Sequence, residues 1–229
     1  MVEMDSSIAH EINQPLAAVN NYCESGLAAL EAGSGDREVF ARAFSGAAAQ
    51  AQRAGEIIRR LRSFLKKGDT TRTLVDINEL IRETLGLIEH DARVRDIRIV
   101  CETAANLRPT LACKVQIQQV LFNLLRNGIE AIEGADGDSR RTITMRSEQL
   151  NPLLLRISVI DTGPGLSPEL AGLIFEPFET SKPGGMGLGL SISRTIIEAH
   201  GGSLGMDDAY EGGACFHVDL PGADSVDAG

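Results

Sequence analysis

The chain is short of aromatic side chains: Phe, Tyr and Trp together make up 4% of it, and Trp is absent. Its core must therefore be aliphatic, and an apolar fraction of 43% supplies enough Leu, Ile, Val and Ala for one. Positive charge is also scarce. With 22 Lys and Arg against 32 Asp and Glu, the formal charge is -10. That balance argues against nucleic acid as the main partner, because phosphate backbones are held by excess Lys and Arg. It argues equally against a basic membrane-surface patch. No run approaches the roughly 20 apolar residues needed to cross a bilayer, and no signal-peptide pattern opens the chain. The four cysteines, Cys23, Cys101, Cys113 and Cys215, are scattered with no C-x-x-C pair, the pattern of reduced packing thiols. His90, His200 and His217 lack metal-ligand spacing and read as structural. The expectation is a soluble, cytoplasmic protein with no nucleic-acid partner and no membrane segment. Its 229 residues suffice for two modest domains.

Apolar residues recur at Ile8, Ile12, Leu16, Val19, Cys23, Leu27 and Leu30. A second series runs Phe40, Phe44, Ala47, Ala51, Ala54, Ile58, Leu61 and Leu65. Spacings of three and four predict two amphipathic helices with heptad-like seams. Gly33-Ser-Gly-Asp36 breaks the pattern and offers Asp36 as an N-cap. Two long helices on a short loop must be antiparallel neighbours. One hairpin has too little partner surface to bury both seams, so two copies are expected to form a four-helix bundle. Pro15 removes a hydrogen bond to the carbonyl of Glu11 and predicts a bend beside His10.

Lys66-Lys-Gly-Asp-Thr-Thr71 is polar and contains glycine, which places a linker at 68–74 between domains spanning 1–67 and 75–222. Beyond it, Asp76 is expected to cap a helix reaching about His90. Ile97–Glu102 and Leu107–Ala112 read as short strands, and Val115–Ile132 as a helix. Thr142–Ser147 and Leu153–Ile160 read as a hairpin pair. A Gly- and Pro-rich stretch from Asp161 to Gly189 reads as a functional lid. Leu188–Ala199 returns to helical spacing, Ser203–Met206 and Ala214–Leu220 close the domain, and 223–229 form a disordered tail. Helices interleaved with strands, without strict βαβ alternation, predict an α+β sandwich on a mixed sheet.

Several short patterns carry chemistry. Asn123 and Asn127 share one helix face, and an amide oxygen is a hard neutral ligand for Mg²⁺. Taken alone, an Asn pair is more often a structural hydrogen-bonding device, because buried polar groups must be satisfied. Asp161 follows a strand, where a carboxylate can accept from the exocyclic amine of adenine, while Gly163 and Gly165 permit close approach of a flat ring. Gly185, Gly187, Leu188 and Gly189 precede a helix whose N–H groups can meet phosphate. This spacing is neither a Walker nor a Rossmann pattern. Phe175-Glu-Pro-Phe178 would anchor the lid, and Lys182 could reach a phosphate.

These blocks, in this order, resemble the sensor histidine kinases of two-component signalling over nearly the whole chain. His10-Glu-Ile-Asn-Gln-Pro-Leu16 looks like their phosphoacceptor box, and Gln119-Val-Leu-Phe-Asn-Leu-Leu-Arg-Asn127 like the asparagine box. Asp161-Thr-Gly-Pro-Gly165 and Gly185-Met-Gly-Leu-Gly-Leu190 look like the two glycine boxes. Phe175-Glu-Pro-Phe178 looks like the phenylalanine box, and His200-Gly-Gly202 and Gly212-Gly213 match the closing strands. The resemblance implies a dimeric phosphotransfer hairpin followed by an ATPase domain of the gyrase, chaperone and histidine-kinase type. It implies that His10 accepts the γ-phosphoryl group of ATP, that Glu11 orients the ring, that Asn127 holds Mg²⁺ and that Asp161 reads adenine. The implied partner is a response-regulator receiver domain supplied in trans.

Three departures stand out. Gln14 occupies a position where relatives often carry Thr or Asn, tied to dephosphorylation of the partner. Glu130 stands where many relatives place a phosphate-contacting Lys. Only nine residues precede His10, which suggests the catalytic core of a longer receptor. Two other readings remain open: a histidine phosphotransfer protein with a non-catalytic nucleotide domain, and a conformational ATPase.

Overall fold

The computed structural model describes residues 2–33, 36–65, 71–134, 140–177, 179–180 and 187–223, with the side chains of 2–13, 53, 56–65, 168 and 169 outside that description. The chain divides into two compact units, Met1–Asp69 and Thr70–Gly229.

The first unit is a pair of long helices, α1 (Val2–Glu31) and α2 (Arg37–Leu65). α2 starts where a side chain can replace the missing helical acceptor. The carboxylate of Asp36 accepts from the N–H groups of Glu38 and Val39 at 3.0 and 2.9 Å. α1 runs without interruption through Pro15, which is buried. Small residues let the helices approach. A Cβ on Gly26 would lie 3.3 Å from the Cβ of Ala43, and one on Gly46 would meet the Tyr22 ring at 2.6 Å. Much of the seam stays open: Leu16, Leu27, Leu30 and Phe44 are 49%, 59%, 64% and 70% exposed.

The second unit has the order β1 (Thr73–Val75), α3 (Ile77–Val94), β2 (Arg98–Thr103), β3 (Thr110–Ala112), α4 (Lys114–Glu133), β4 (Thr142–Asn151), β5 (Leu154–Asp161), α5 (Pro168–Ala171), α6 (Gly189–Ala199), β6 (Ser203–Met206) and β7 (Cys215–Pro221). Five strands form one mixed sheet in the order β2-β4-β5-β7-β6, parallel only between β2 and β4. Alternation along the strands sorts the two faces. Ile143, Met145, Leu155, Ile157, Val159, Val218 and Leu220 point into the core against Leu80, Ile81, Ile117, Leu121, Leu124, Leu125 and Ile197 from the helices. The opposite face is polar. There Arg156 forks onto Asp219 at 2.7 and 2.8 Å, and Arg146 onto Glu102 at 2.9 and 2.7 Å.

Several boundaries differ from the sequence reading. α3 continues to Val94, past His90. The strand expected at Leu107–Ala112 is confined to Thr110–Ala112, since Pro109 has no N–H to give a ladder. It pairs antiparallel with β1, which begins inside the stretch assigned to the linker. The lid region holds a short helix, α5, capped by Ser167. Gly134 ends α4, and Arg141 ties that end to the end of α3 by reaching the carbonyls of Ile132 and Arg95 at 3.5 and 3.2 Å. Among the described residues no helix is long and apolar enough to cross a membrane.

Candidate functional site

The polar residues singled out in the second unit converge on one end of the sheet. α4 carries Asn123 and Asn127 one turn apart. Leu121, Leu124, Leu125 and Ile129 are buried on either side of them. Asp161 ends β5 and is 3% exposed. Its Oδ1 accepts from the backbone N–H of Gly163 at 2.9 Å and of Ala214 at 3.3 Å, so backbone fixes the carboxylate in place. Its other oxygen faces α4, where a Cβ built on Gly128 would lie 3.6 Å from Oδ2 and 3.2 Å from the Asp161 Cβ. Gly128 directly follows Asn127. The absence of a side chain there is what lets the Asn127 helix and the Asp161 carboxylate close on one another.

The loop after Asp161 is held as tightly. Thr162 Oγ1 accepts from the N–H of Thr142 at 3.0 Å and donates to the carbonyl of Arg140. A Cβ on Gly163 would meet Asp161 Oδ1 at 2.9 Å and the Ala131 Cβ at 3.0 Å. Gly165 adopts φ +72°, a region that favours glycine. It packs on the carbonyl of Gly213, whose own Cα sits against the Asp161 carbonyl with no room for a Cβ.

Helix α6 supplies the second backbone element. Gly187 turns at φ +63°, Leu188 stands at the N-cap without a side-chain acceptor, and Gly189 opens the helix. No acidic residue occupies its first turn, and its early N–H groups lie at the positive end of the helix dipole. Beside Asn127, Arg126 pairs with Glu130 at 2.8 Å. The phenylalanine block is represented by Phe175. Its ring meets Phe216 edge-on, with centroids 6.5 Å apart, and carries the Arg194 guanidinium 4.8 Å above it. Lys182, Gly185 and Phe178 lie outside the described residues.

In the first unit, His10 and Glu11 fall on α1, and their side chains lie outside the description. Gln14, one turn further on, is exposed. Among the described residues no group of three or more His, Cys, Asp and Glu side chains could hold a metal ion. The neutral amide of Asn127 is a hard oxygen donor that could serve a divalent cation shared with an anionic ligand.

Sequence reasoning gave no role to Gly128 or Ser193 and met Gly213 only in the closing-strand pair. Ser193 was visible only as a polar residue on the apolar side of α6. His200 proves structural, as its lack of ligand spacing implied. The ring is 4% exposed, Nε2 accepts from the N–H of Cys113 at 3.1 Å, and Nδ1 donates to the carbonyl of Ile196 at 2.7 Å. The two partners fix the Nδ1–H tautomer. They fasten the start of α4 to the end of α6.

A sandwich with these glycine turns and an Asn-bearing central helix defines a nucleotide-binding ATPase domain. Residues 113–224 match the family of histidine kinase-, DNA gyrase B-, and HSP90-like ATPases, and residues 2–70 match the His Kinase A (phospho-acceptor) domain. The sensor protein FixL of Bradyrhizobium diazoefficiens is 41% identical over 226 residues, covering 98% of this chain and 44% of that protein. The solved catalytic domain of histidine kinase ThkA is 38% identical with a TM-score of 0.58, covering 66% of this chain and 95% of that one. A structure of ThkA in complex with the response regulator protein TrrA is 30% identical with a TM-score of 0.76, covering 96% of this chain and 61% of that one. The chain belongs to the sensor histidine kinases of two-component signalling. It spans less than half the length of the curated relatives it matches.

Proposed function

We propose that this chain phosphorylates itself on His10 with ATP and passes the phosphoryl group to an aspartate of a response-regulator receiver domain. The observation that carries the reading is the pairing, in one chain, of a phosphoacceptor-type helix with the Asn127–Asp161 site. Asp161 would accept from the adenine amine, with Gly163 and Gly165 leaving the ring room to lie against the backbone. Gly187, Leu188 and Gly189 would present N–H groups to phosphate oxygens, joined by Gly185 and by the Lys182 ammonium. Asn123 serves the same site from one turn earlier on α4. The amide oxygen of Asn127 would hold Mg²⁺, which when bound neutralises phosphate charge during transfer.

At the acceptor, one His10 ring nitrogen uses its lone pair to bond the γ-phosphorus, and the bond from phosphorus to the β–γ bridging oxygen breaks. ADP leaves with that electron pair. Glu11 would accept a hydrogen bond from the other ring nitrogen, keeping the attacking one unprotonated. No further protein nucleophile is needed, because phosphoryl transfer rests mainly on positioning and charge neutralisation. Gln14 would orient a water when the partner is dephosphorylated. The exposed seam of α1 and α2 supports a homodimer through the hairpin, with the residues ahead of β1 as linker. The working compartment is cytoplasmic.

Incubation with γ-labelled ATP and Mg²⁺ tests this. Native chain should take up an acid-labile, alkali-stable label, and His10→Gln should take up none. Equal labelling of the two would sink the reading. A conformational ATPase would instead release phosphate without labelling itself.

A further inference from the structure

Asn123 and Asn127 share a helix face one turn apart. The Asn123 amide nitrogen donates to Ser193 Oγ at 3.1 Å. Ser193 Oγ in turn donates to the carbonyl of Gly189 at 2.9 Å. Ser193 is 2% exposed, so its hydroxyl, with one bond accepted and one donated, is buried and satisfied. Gly189 closes the triangle from the other side. A Cβ built there would fall 2.7 Å from Asn123 Oδ1 and 3.1 Å from its Nδ2. The amide occupies the space a Cβ would need. A short side chain already bonded to a buried hydroxyl cannot yield without breaking that bond.

We infer that Ser193 and Asn123 are positioning residues: together they set where the glycine turn opening α6 stands relative to Asn127. The inference rests on the nucleotide reading given above and deepens it. Gly189 is a glycine because an amide occupies the space of its Cβ, and its φ gives no reason of its own. Asn127 sits one turn further along the same helix, so the amide network fixes its distance from the N–H groups at the start of α6. The His200–Cys113 bond holds the same two helices at their far ends. Two attachments allow neither rotation nor sliding of one helix on the other, which is what a site split between them requires. Asn123 therefore acts on the nucleotide through Gly189.

Epistasis provides the test. The affinity of the full chain for a non-hydrolysable ATP analogue with Mg²⁺ is measured for native protein, Ser193→Ala, Asn123→Ala, Gly189→Ala and the pair Asn123→Ala/Gly189→Ala. Melting without nucleotide is followed in parallel. Ser193→Ala should weaken binding about fivefold, the worth of one buried hydrogen bond. Gly189→Ala should weaken it tenfold or more, and adding Asn123→Ala should recover much of that loss by vacating the space. In turnover the Ser193→Ala defect should fall mainly on the KM for ATP. If Gly189→Ala alone fails to fold, recovery of its melting transition in the pair reads the same coupling. A pair weaker than either single variant overturns the inference, as does Ser193→Ala binding like the native chain. Both outcomes presuppose that the native chain binds. Native protein that takes no nucleotide would overturn the underlying reading, and the inference with it.

Discussion

The two units bury their apolar residues to very different extents. In the second, Leu80, Ile81, Ile117, Leu121, Leu125 and Ile143 are 0% exposed, and the helices and sheet satisfy one another within a single chain. In the first, Leu27 and Phe44 are 59% and 70% exposed on the same seams whose spacing builds the helices. A sandwich closes its own core, while a two-helix hairpin offers each seam too little surface. One unit therefore closes its own core, and the other leaves much of its seam open.

The sharpest way to break this comparison is to remove volume from the closed core. Leu124→Ala should cost about 2–5 kcal/mol, because the lining of a packed core collapses only partly onto a cavity. Denaturant melting of the second unit reads that loss, and a cost below about 1 kcal/mol would mean that the core is looser than its burial implies. His200→Leu should come next, at about 1–3 kcal/mol, since it strands the Cys113 N–H in the interior. It should also lower affinity for an ATP analogue, because α4 and α6 lose one of their two attachments.

In the hairpin the expectation reverses. Phe44→Ala should cost a single chain no more than about 0.5 kcal/mol, as exposed positions usually do. It should weaken self-association about tenfold if that ring becomes a buried anchor on dimerisation. Sedimentation at several concentrations separates the two effects. The smallest change concerns the polar face of the sheet. Burial, aided by the nearby Arg156 charge, lowers the His217 pKa from 6.5, while Asp219 and Asp207 oppose the shift. Below 6.5 the unfolded chain binds a proton that the folded ring resists. Stability from this residue is therefore present at neutral pH, falls as pH drops through that value, and levels off once the folded ring titrates. His217→Gln should flatten this part of the melting-temperature profile between about pH 7 and 5.

What could be read from sequence was whatever repeats locally. The three-and-four spacing along α4, the alternation in Thr142–Ser147 and the Asp76 cap each depend on neighbours within a turn or a strand. What escaped depends on distant partners. β1 is three residues long and exists because Thr110–Ala112 lies opposite. The hydroxyl satisfying Asn123 is 70 residues away, and the acceptor for Cys113 N–H is 87 residues away. The glycines were legible as freedom to turn or to approach a ligand. The structure adds another reason for them: Gly189 and Gly213 are small because protein atoms occupy the space of a Cβ. That reason cannot be seen until the chain is folded.

In the proposed function the second unit delivers a phosphoryl group to the His10 imidazole of the first. Mapping the label after incubation with γ-labelled ATP and Mg²⁺ tests it most directly, with native chain and Asp161→Asn run side by side. The account predicts label on the peptide containing His10 in native protein, and a large loss when the Asp161 carboxylate becomes an amide. Label on any other residue, or undiminished label in Asp161→Asn, would contradict it.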